Sequence, residues 1–326
     1  MILYNAVPPL SVSNTLGGDR DPENTVGKGN FFEKFVRFSG QIYQILVFRP
    51  FPCPVCIRSL PTIFKTFLFR DPVGLIPPSE TQVQHAVVTD ELWIYVNGVA
   101  TTTDLAKANA DFLFRLFGRP VWICYNPTDG ILIDLLECIV DKIGFLDWFW
   151  KTKPRVVLSH VIQKALMEAE QNKYTRIVLV AHSQGTIITS AALRVIVQGD
   201  RHMKELSRRY LEVFTFADCA HQMIVNDRGV QVVNFLENIS NGLDTVAWLG
   251  VLFPYRSFWE DKKGRGIEID GSIITDPNHW GHFLMTHYLE PFFHGAYPFS
   301  RLHSYRAGGK ATKAIELTSK SRVTLR

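Results

Sequence analysis

The sequence predicts an α/β protein, with a mostly parallel central sheet flanked by helices and preceded by an N-terminal extension. Two observations carry the prediction. From about residue 90 onward, short apolar runs alternate with longer segments whose apolar residues recur at helical spacing. One of those runs, RIVLVA, breaks off into Ala181-His182-Ser183-Gln184-Gly185, a serine fenced by small residues, before helical spacing resumes. Size permits such a fold. At 326 residues and 46% apolar composition the chain can bury a large core, as one large domain or two smaller ones.

Residues 1–30 are rich in Gly, Asn, Asp and Pro and read as a flexible arm. Residues 31–70 interleave Phe with Lys and Arg, in FFEKFVRF, FRPFPCPVC and FKTFLFR. That alternation fits a peripheral contact with a membrane surface. The prolines break any long amphipathic helix and favour instead a basic-edged extension packed on the main domain. The uncharged apolar stretch from Phe38 to Phe48 is too short to span a bilayer, which takes about 20 residues. Asp71 to Glu80, DPVGLIPPSE, reads as a linker, setting an extension over 1–75 and the main domain over 76–326.

Within the main domain, ELWIYVNG (91–98) is a buried strand ending in a turn. LAKANADFLFRLFG (105–118) is a helix closed by Gly. RPVWICYNPTDG supplies the next strand and turn, and ILIDLLECIVDKIG (131–144) the next helix. RVVLSHVIQKALMEAEQ (155–171), RIVLVA and GTIITSAALRVIVQ continue the alternation as helix, strand and helix. LEVFTFA (211–217), VQVVNFLE (230–237) and GSIIT (271–275) are further strands. Parallel strands joined by helices are the economical arrangement of that order.

Composition narrows the function. A net charge of +4 is far from the dense basic stripe of a nucleic-acid binder. The aromatic share of 12% suits an apolar ligand and a Phe-rich core equally well. Five cysteines lie at 53, 56, 124, 138 and 219. That odd, scattered set, with no basic segment leading into an apolar one at the start, points to reduced thiols in a cytoplasmic setting. Cys53-Pro54-Val55-Cys56 has a redox or zinc spacing, but no second pair or nearby His completes a metal site.

The serine carries the chemistry. A small-x-Ser-x-small turn between strand and helix is a nucleophile elbow: the chain reverses so sharply that Ser183 Oγ is lifted clear. Its flanks pass so close to other backbone that large side chains would clash. Ala181 takes the position where Gly is commoner, and Gly185 keeps the more demanding one. His182, adjacent in sequence, is not the base: the serine side chain must point out of the elbow while that of His182 points elsewhere, so His182 reads as structural. A serine hydroxyl at neutral pH needs such a base, and the base needs an acid to orient it.

On the elbow VAHSQG, the strand-turn WIYVNG, GRPVWICYNPTDG with DLLEC, LEVFTFADCA, LENISNGLDTVAWLGVL and WGHFLMTHYL, the chain resembles the α/β-hydrolase superfamily over about residues 90–290. Within it, the resemblance is to fungal-type serine esterase and lipase proteins. It implies the order serine, acid, histidine. It places the acid before a Val-Ala-x-Leu-Gly helix start, which matches Asp244. Asp218 stands in reserve, and Glu237 ends the 230–237 strand. Asp244 also reads as a plain helix cap. The resemblance places the histidine after the 271–275 strand, at His282 in Gly-His-Phe-Leu. His279, His287, His294 and His303 are the rivals, with His287 read as packed against the core. The oxyanion donors implied are the amides of Gln184 and Val99, since Asn97-Gly98-Val99 stands where lipases carry His-Gly-x. Asn97 departs from that pattern, and Asn-Gly is also a plain turn signal.

The elbow and the resemblance together imply a serine hydrolase acting on an ester of an acyl lipid or a hydrophobic small molecule, with no metal or organic cofactor required. The same scaffold also serves acyltransferase, lyase or cyclase chemistry on a secondary metabolite, or non-catalytic binding. The aromatics of GFLDWFWK (144–151) and GVLFPYRSFWE (250–260) suit a lid or acyl pocket, and helix packing as well.

Overall fold

The computed structural model describes residues 74–98, 101–126, 153–252 and 267–311. Its centre is a seven-stranded sheet of Gly74–Ile76 (β1), Glu91–Val96 (β2), Val121–Tyr125 (β3), Arg176–His182 (β4), Leu211–Phe216 (β5), Phe235–Leu243 (β6) and Ser272–Trp280 (β7), in the order β1-β3-β2-β4-β5-β6-β7. Every neighbouring pair is parallel except β1 with β3. Every residue of β2 is buried. Leu92, Ile94 and Val96 enter one apolar cluster, and Trp93 and Tyr95 enter the other. A strand covered on both faces has no polar side to show, so ELWIYV reads as a continuous apolar run.

The helices supply the covers. Thr103–Phe117 (α2), which follows the short Glu80–Gln84 (α1), packs Ala106, Ala110, Leu113 and Phe117 against one face. Its start is set by Thr102, whose hydroxyl accepts the amide of Leu105 at 3.2 Å. Lys153–Glu170 (α3), Gln184–Val197 (α4) and Arg201–Tyr210 (α5) cover the opposite face with Leu158, Ile162, Ile188, Leu193, Ile196 and Leu206. Each such side chain stabilises the fold by about 1.5–3 kcal/mol on burial.

Three segments differ from the sequence expectation. Val230–Gln231 belongs to a small hairpin with Asn226–Asp227, and the sheet strand runs instead from Phe235 to Leu243. Its middle, Glu237-Asn238-Ile239-Ser240-Asn241, is too polar to read as a buried strand. Tertiary partners offset that: Thr215 Oγ1 donates to Asn238 Oδ1 at 2.7 Å, and Asn238 donates to the Asp270 carbonyl at 2.9 Å. The strand expected at 271–275 continues to Trp280, past a register shift after Asp276. Gly74–Ile76, inside the expected linker, is the antiparallel edge of the sheet. Helix α5 is mostly charged, with Met203, Leu206 and Tyr210 at helical spacing on the face it packs against the core; Asp200 caps it, accepting the amide of Met203 at 2.7 Å. The 1–30 arm, the 31–70 segment, Cys53-Pro54-Val55-Cys56, the 131–144 helix, the 144–151 aromatics and residues 253–260 lie outside the described residues. Cys124 and Cys219 are buried free thiols. No helix among the described residues is long and apolar enough to cross a membrane.

The two ends of the sheet differ. At the end where the strands begin, buried charges are paired. Arg119 donates to Glu91 at 2.8 Å and to the carbonyls of Phe117, Tyr305 and Gly309. Glu212 is held by Arg176, Arg301 and the Tyr305 hydroxyl. These bonds draw the 3-10 segment Arg301–Gly308 across the base of the sheet as a strap. At the other end, parallel pairing gathers the loops that follow β2, β3, β4, β6 and β7. Ligands of open parallel sheets bind at such an end.

Candidate active site

One residue, Ser183, joins β4 to α4. Its φ of 55° and ψ of −128° lie where a side chain is strained, at a cost of about 1–3 kcal/mol. The Ser183 amide donates to the Phe216 carbonyl at 3.0 Å, tying the turn to β5. The small neighbours have a measurable cause. A Cβ on Gly185 would stand 2.4 Å from the Val96 carbonyl oxygen and 2.8 Å from that of Asn97. A Cβ on Gly98 would stand 2.7 Å from Ser183 Cβ. The methyl of Ala181 is accommodated, fully buried in the core. Helix α4 begins at Gln184, so its amino-terminal amides and dipole face the serine.

The imidazole of His282, just past β7, meets Ser183. Ser183 Oγ lies 2.8 Å from His282 Nε2, and His282 Nδ1 lies 2.9 and 3.2 Å from the two carboxylate oxygens of Asp244. The self-consistent arrangement has Oγ–H donating to Nε2 and Nδ1–H donating to the carboxylate. Asp244, fully buried, immediately follows β6. It also accepts the Tyr288 hydroxyl at 2.7 Å and the amides of Val246 and Ala247 at 2.8 and 3.4 Å. Burial pushes this carboxyl up. The His282 charge and the bonds from His282, Tyr288 and Val246 outweigh it and hold the group below the usual range. Capping and pairing with the histidine therefore occur on one side chain. Tyr288 stays a hydroxyl donor, because burial and the adjacent Asp244 raise it well above the ordinary phenol value.

The rivals are elsewhere. Asp218 Oδ1 accepts the Ala220 amide at 2.8 Å. Glu237 sits near the start of β6, bonded to Ser300 and, at 3.0 Å, to the Arg301 amide. His279 lies on β7, 3.6 Å from Asp276. His287 accepts the Phe283 amide at 2.9 Å and packs between the rings of Trp280 and Phe283. Burial, then the neighbouring His282, pushes His287 down to about 4. His303 stacks on Phe292 at 4.0 Å, and His294 meets the edge of Phe293.

Val99, the second donor expected for the oxyanion, lies outside the described residues. The loop leading to it is nonetheless defined by Asn97, which is fully buried. Asn97 Oδ1 accepts the Asn126 amide at 2.8 Å, and its Nδ2 donates to the carbonyls of Asn126 and Gly98 at 2.9 and 3.0 Å. The parallel donor and acceptor of a carboxamide make this two-point clip, whereas the ring nitrogens of a histidine diverge. Asn126 Nδ2 in turn donates to Gln184 Oε1 at 2.7 Å. The ends of β2 and β3 and the start of α4 are thus joined by side-chain amides.

Asn126, Tyr288 and Asn241 were not foreseen from sequence. Asn241 donates to the carbonyls of Gly281 and His287 at 3.1 and 3.0 Å, and its amide donates to the Tyr288 hydroxyl at 3.1 Å. Asn241 lies three residues before Asp244 in the polar run Glu237 to Asn241, and nothing local marks it out from Asn238 or Ser240. Among the described residues, no group of three or more His, Cys, Asp or Glu could hold a metal ion. No family model and no curated protein matches the chain.

Proposed function

We propose that the chain is a serine hydrolase of the α/β-hydrolase superfamily that cleaves a carboxylic ester of an acyl lipid or hydrophobic small molecule. The observation that carries the reading is the unbroken line of hydrogen bonds from Ser183 Oγ through His282 to Asp244. The reading gains support from the strained turn at Ser183, from the chain order serine, acid, histidine, and from their common position at one end of the sheet. A hydrophobic acyl group suits the aromatic surface beside the base, where Trp280 is 49% and Phe283 42% exposed.

In this mechanism Ser183 Oγ attacks the ester carbonyl carbon while its proton passes to His282 Nε2. The carbonyl oxygen takes the negative charge, facing the Gln184 amide and a second donor from the loop after β2. Asp244 stabilises the imidazolium. The carbon–oxygen bond to the alcohol then breaks, and His282 delivers its proton to the leaving oxygen. A water molecule repeats the sequence on the acyl-enzyme: His282 takes its proton, the acid is released and the proton returns to Oγ.

The test is covalent labelling of the full chain by a fluorophosphonate probe. Wild type is expected to label, and Ser183→Ala to lose the label while keeping its melting transition. Equal labelling of both, or a folded wild type that stays unlabelled, overturns the reading.

A further inference from the structure

Catalysis as proposed above uses Ser183, His282 and Asp244 but gives no work to His182, a buried titratable group beside them. We infer that His182 is a positioning residue for the base: its ring N–H grips the backbone of His282, so the turn that presents the serine also sets the histidine over it. The inference rests on the serine-hydrolase reading of this site.

The geometry supporting it is direct. His182 Nε2 lies 2.7 Å from the carbonyl oxygen of His282, and the two rings pack 4.8 Å apart at a tilt of 33°. His182 is 7% exposed. Residues 281–283 are neither helix nor strand, so no ladder of backbone bonds holds the base in place. Side chains hold it instead: Asn241 takes the Gly281 carbonyl, His287 takes the Phe283 amide, and His182 takes His282 itself. Because Ser183 follows His182 directly, the Oγ–Nε2 bond at 2.8 Å and the ring–carbonyl bond at 2.7 Å span the same two short segments. Together they fix the serine–imidazole separation at two points, which one flexible contact does not do.

The chemistry requires a particular form of His182. A carbonyl oxygen only accepts, so Nε2 must carry the hydrogen. Burial, then the neighbouring His282, pushes His182 down to about 3, so the ring stays neutral with Nδ1 unprotonated. Neutrality matters at the moment His282 becomes an imidazolium, since a second cation stacked on it would oppose proton transfer from the serine. A phenyl ring would fill the same space without the N–H. A glutamine carboxamide supplies an N–H donor on a neutral side chain.

Two measurements on the full chain test this. The first is fluorophosphonate labelling of wild type, His182→Phe and His182→Gln, separating kinact from KI. His182→Phe is expected to lower kinact about 10- to 100-fold at unchanged KI, and His182→Gln to restore it to within a few-fold of wild type. A Phe variant that labels at the wild-type rate, or a Gln variant no faster than Phe, overturns the inference. The second, needing no variant, is nitrogen-15 NMR of the histidine rings of wild type between pH 5 and 8. The expected result is a neutral His182 with its proton on Nε2 throughout. A proton on Nδ1 alone overturns the inference even if labelling is normal. A folded wild type that does not label at all removes the hydrolase reading instead, whatever the NMR finds.

Discussion

Ser183 holds backbone strain that no residue except glycine avoids. The strain and the exposed hydroxyl come from the same torsion, so relieving one can be separated from losing the other. Ser183→Ala and Ser183→Gly both remove Oγ and its bond to His282. The glycine variant is expected to be the more stable of the two by about 1 kcal/mol, despite glycine's flexibility in the unfolded chain. Thermal melting of the pair checks this, and equal transitions would mean that the turn relaxes around any residue. The serine itself was legible, because small flanks between a strand and a helix have few other causes. Asp244 was legible only as a choice between cap and acid. Its carboxylate accepts the Val246 amide on one oxygen and the Tyr288 hydroxyl on the other, with His282 reaching both, so the two readings do not compete.

Among the elements, the covered strands β2, β4 and β5 stand where their apolar runs put them, and β6 does not. Its middle carries Glu237, Asn238, Ser240 and Asn241, and single-residue polarity outweighed the signal of a buried strand. Only the finished fold supplies Thr215, Asp270, Gly281, His287 and Ser300 as partners of Glu237, Asn238 and Asn241, and each lies far along the chain. Asn97 was legible as a turn and a departure from the lipase pattern, but its clip on Asn126 spans two strands and leaves no local trace. Asn97→Ala strands a buried amide and carbonyl at the end of β3. It is expected to cost about 1–3 kcal/mol of stability and to slow fluorophosphonate labelling about tenfold through the loosened loop. Melting and labelling kinetics read the two effects separately, and unchanged labelling would show that the loop keeps its place without the clip.

Over the whole molecule, the end of the sheet opposite the serine is built from paired buried charge, and Glu237 belongs to it. Burial pushes Glu237 up to about 7 from 4.5, against the bonds from Ser300 and Arg301. A carboxyl raised in the folded state contributes stability that is complete below pH 4.5 and lost as the pH rises through about 7. Glu237→Gln cannot ionise, so wild type is expected to lose up to about 1.4 kcal/mol per pH unit relative to the variant across that window. Melting of both proteins at about pH 4.5, 6 and 7.5 measures the changing gap, and a constant gap would place the carboxyl's ionisation outside the window. The strap that closes this end, Arg301 to Gly308, follows every strand of the sheet in the chain. During synthesis Ser183 and its bent turn emerge well before Asp244, and Asp244 before His282. The hydroxyl is therefore made long before the imidazole it meets in the folded protein. Arg119, Arg176, Glu212 and Glu237 likewise precede the carbonyls, hydroxyls and guanidinium that the strap brings to them. On the serine-hydrolase reading, a nascent chain paused between residues 250 and 280 would carry Ser183 in a half-closed sheet without its base; reactivity would arrive as a late step, with the segment that brings His282.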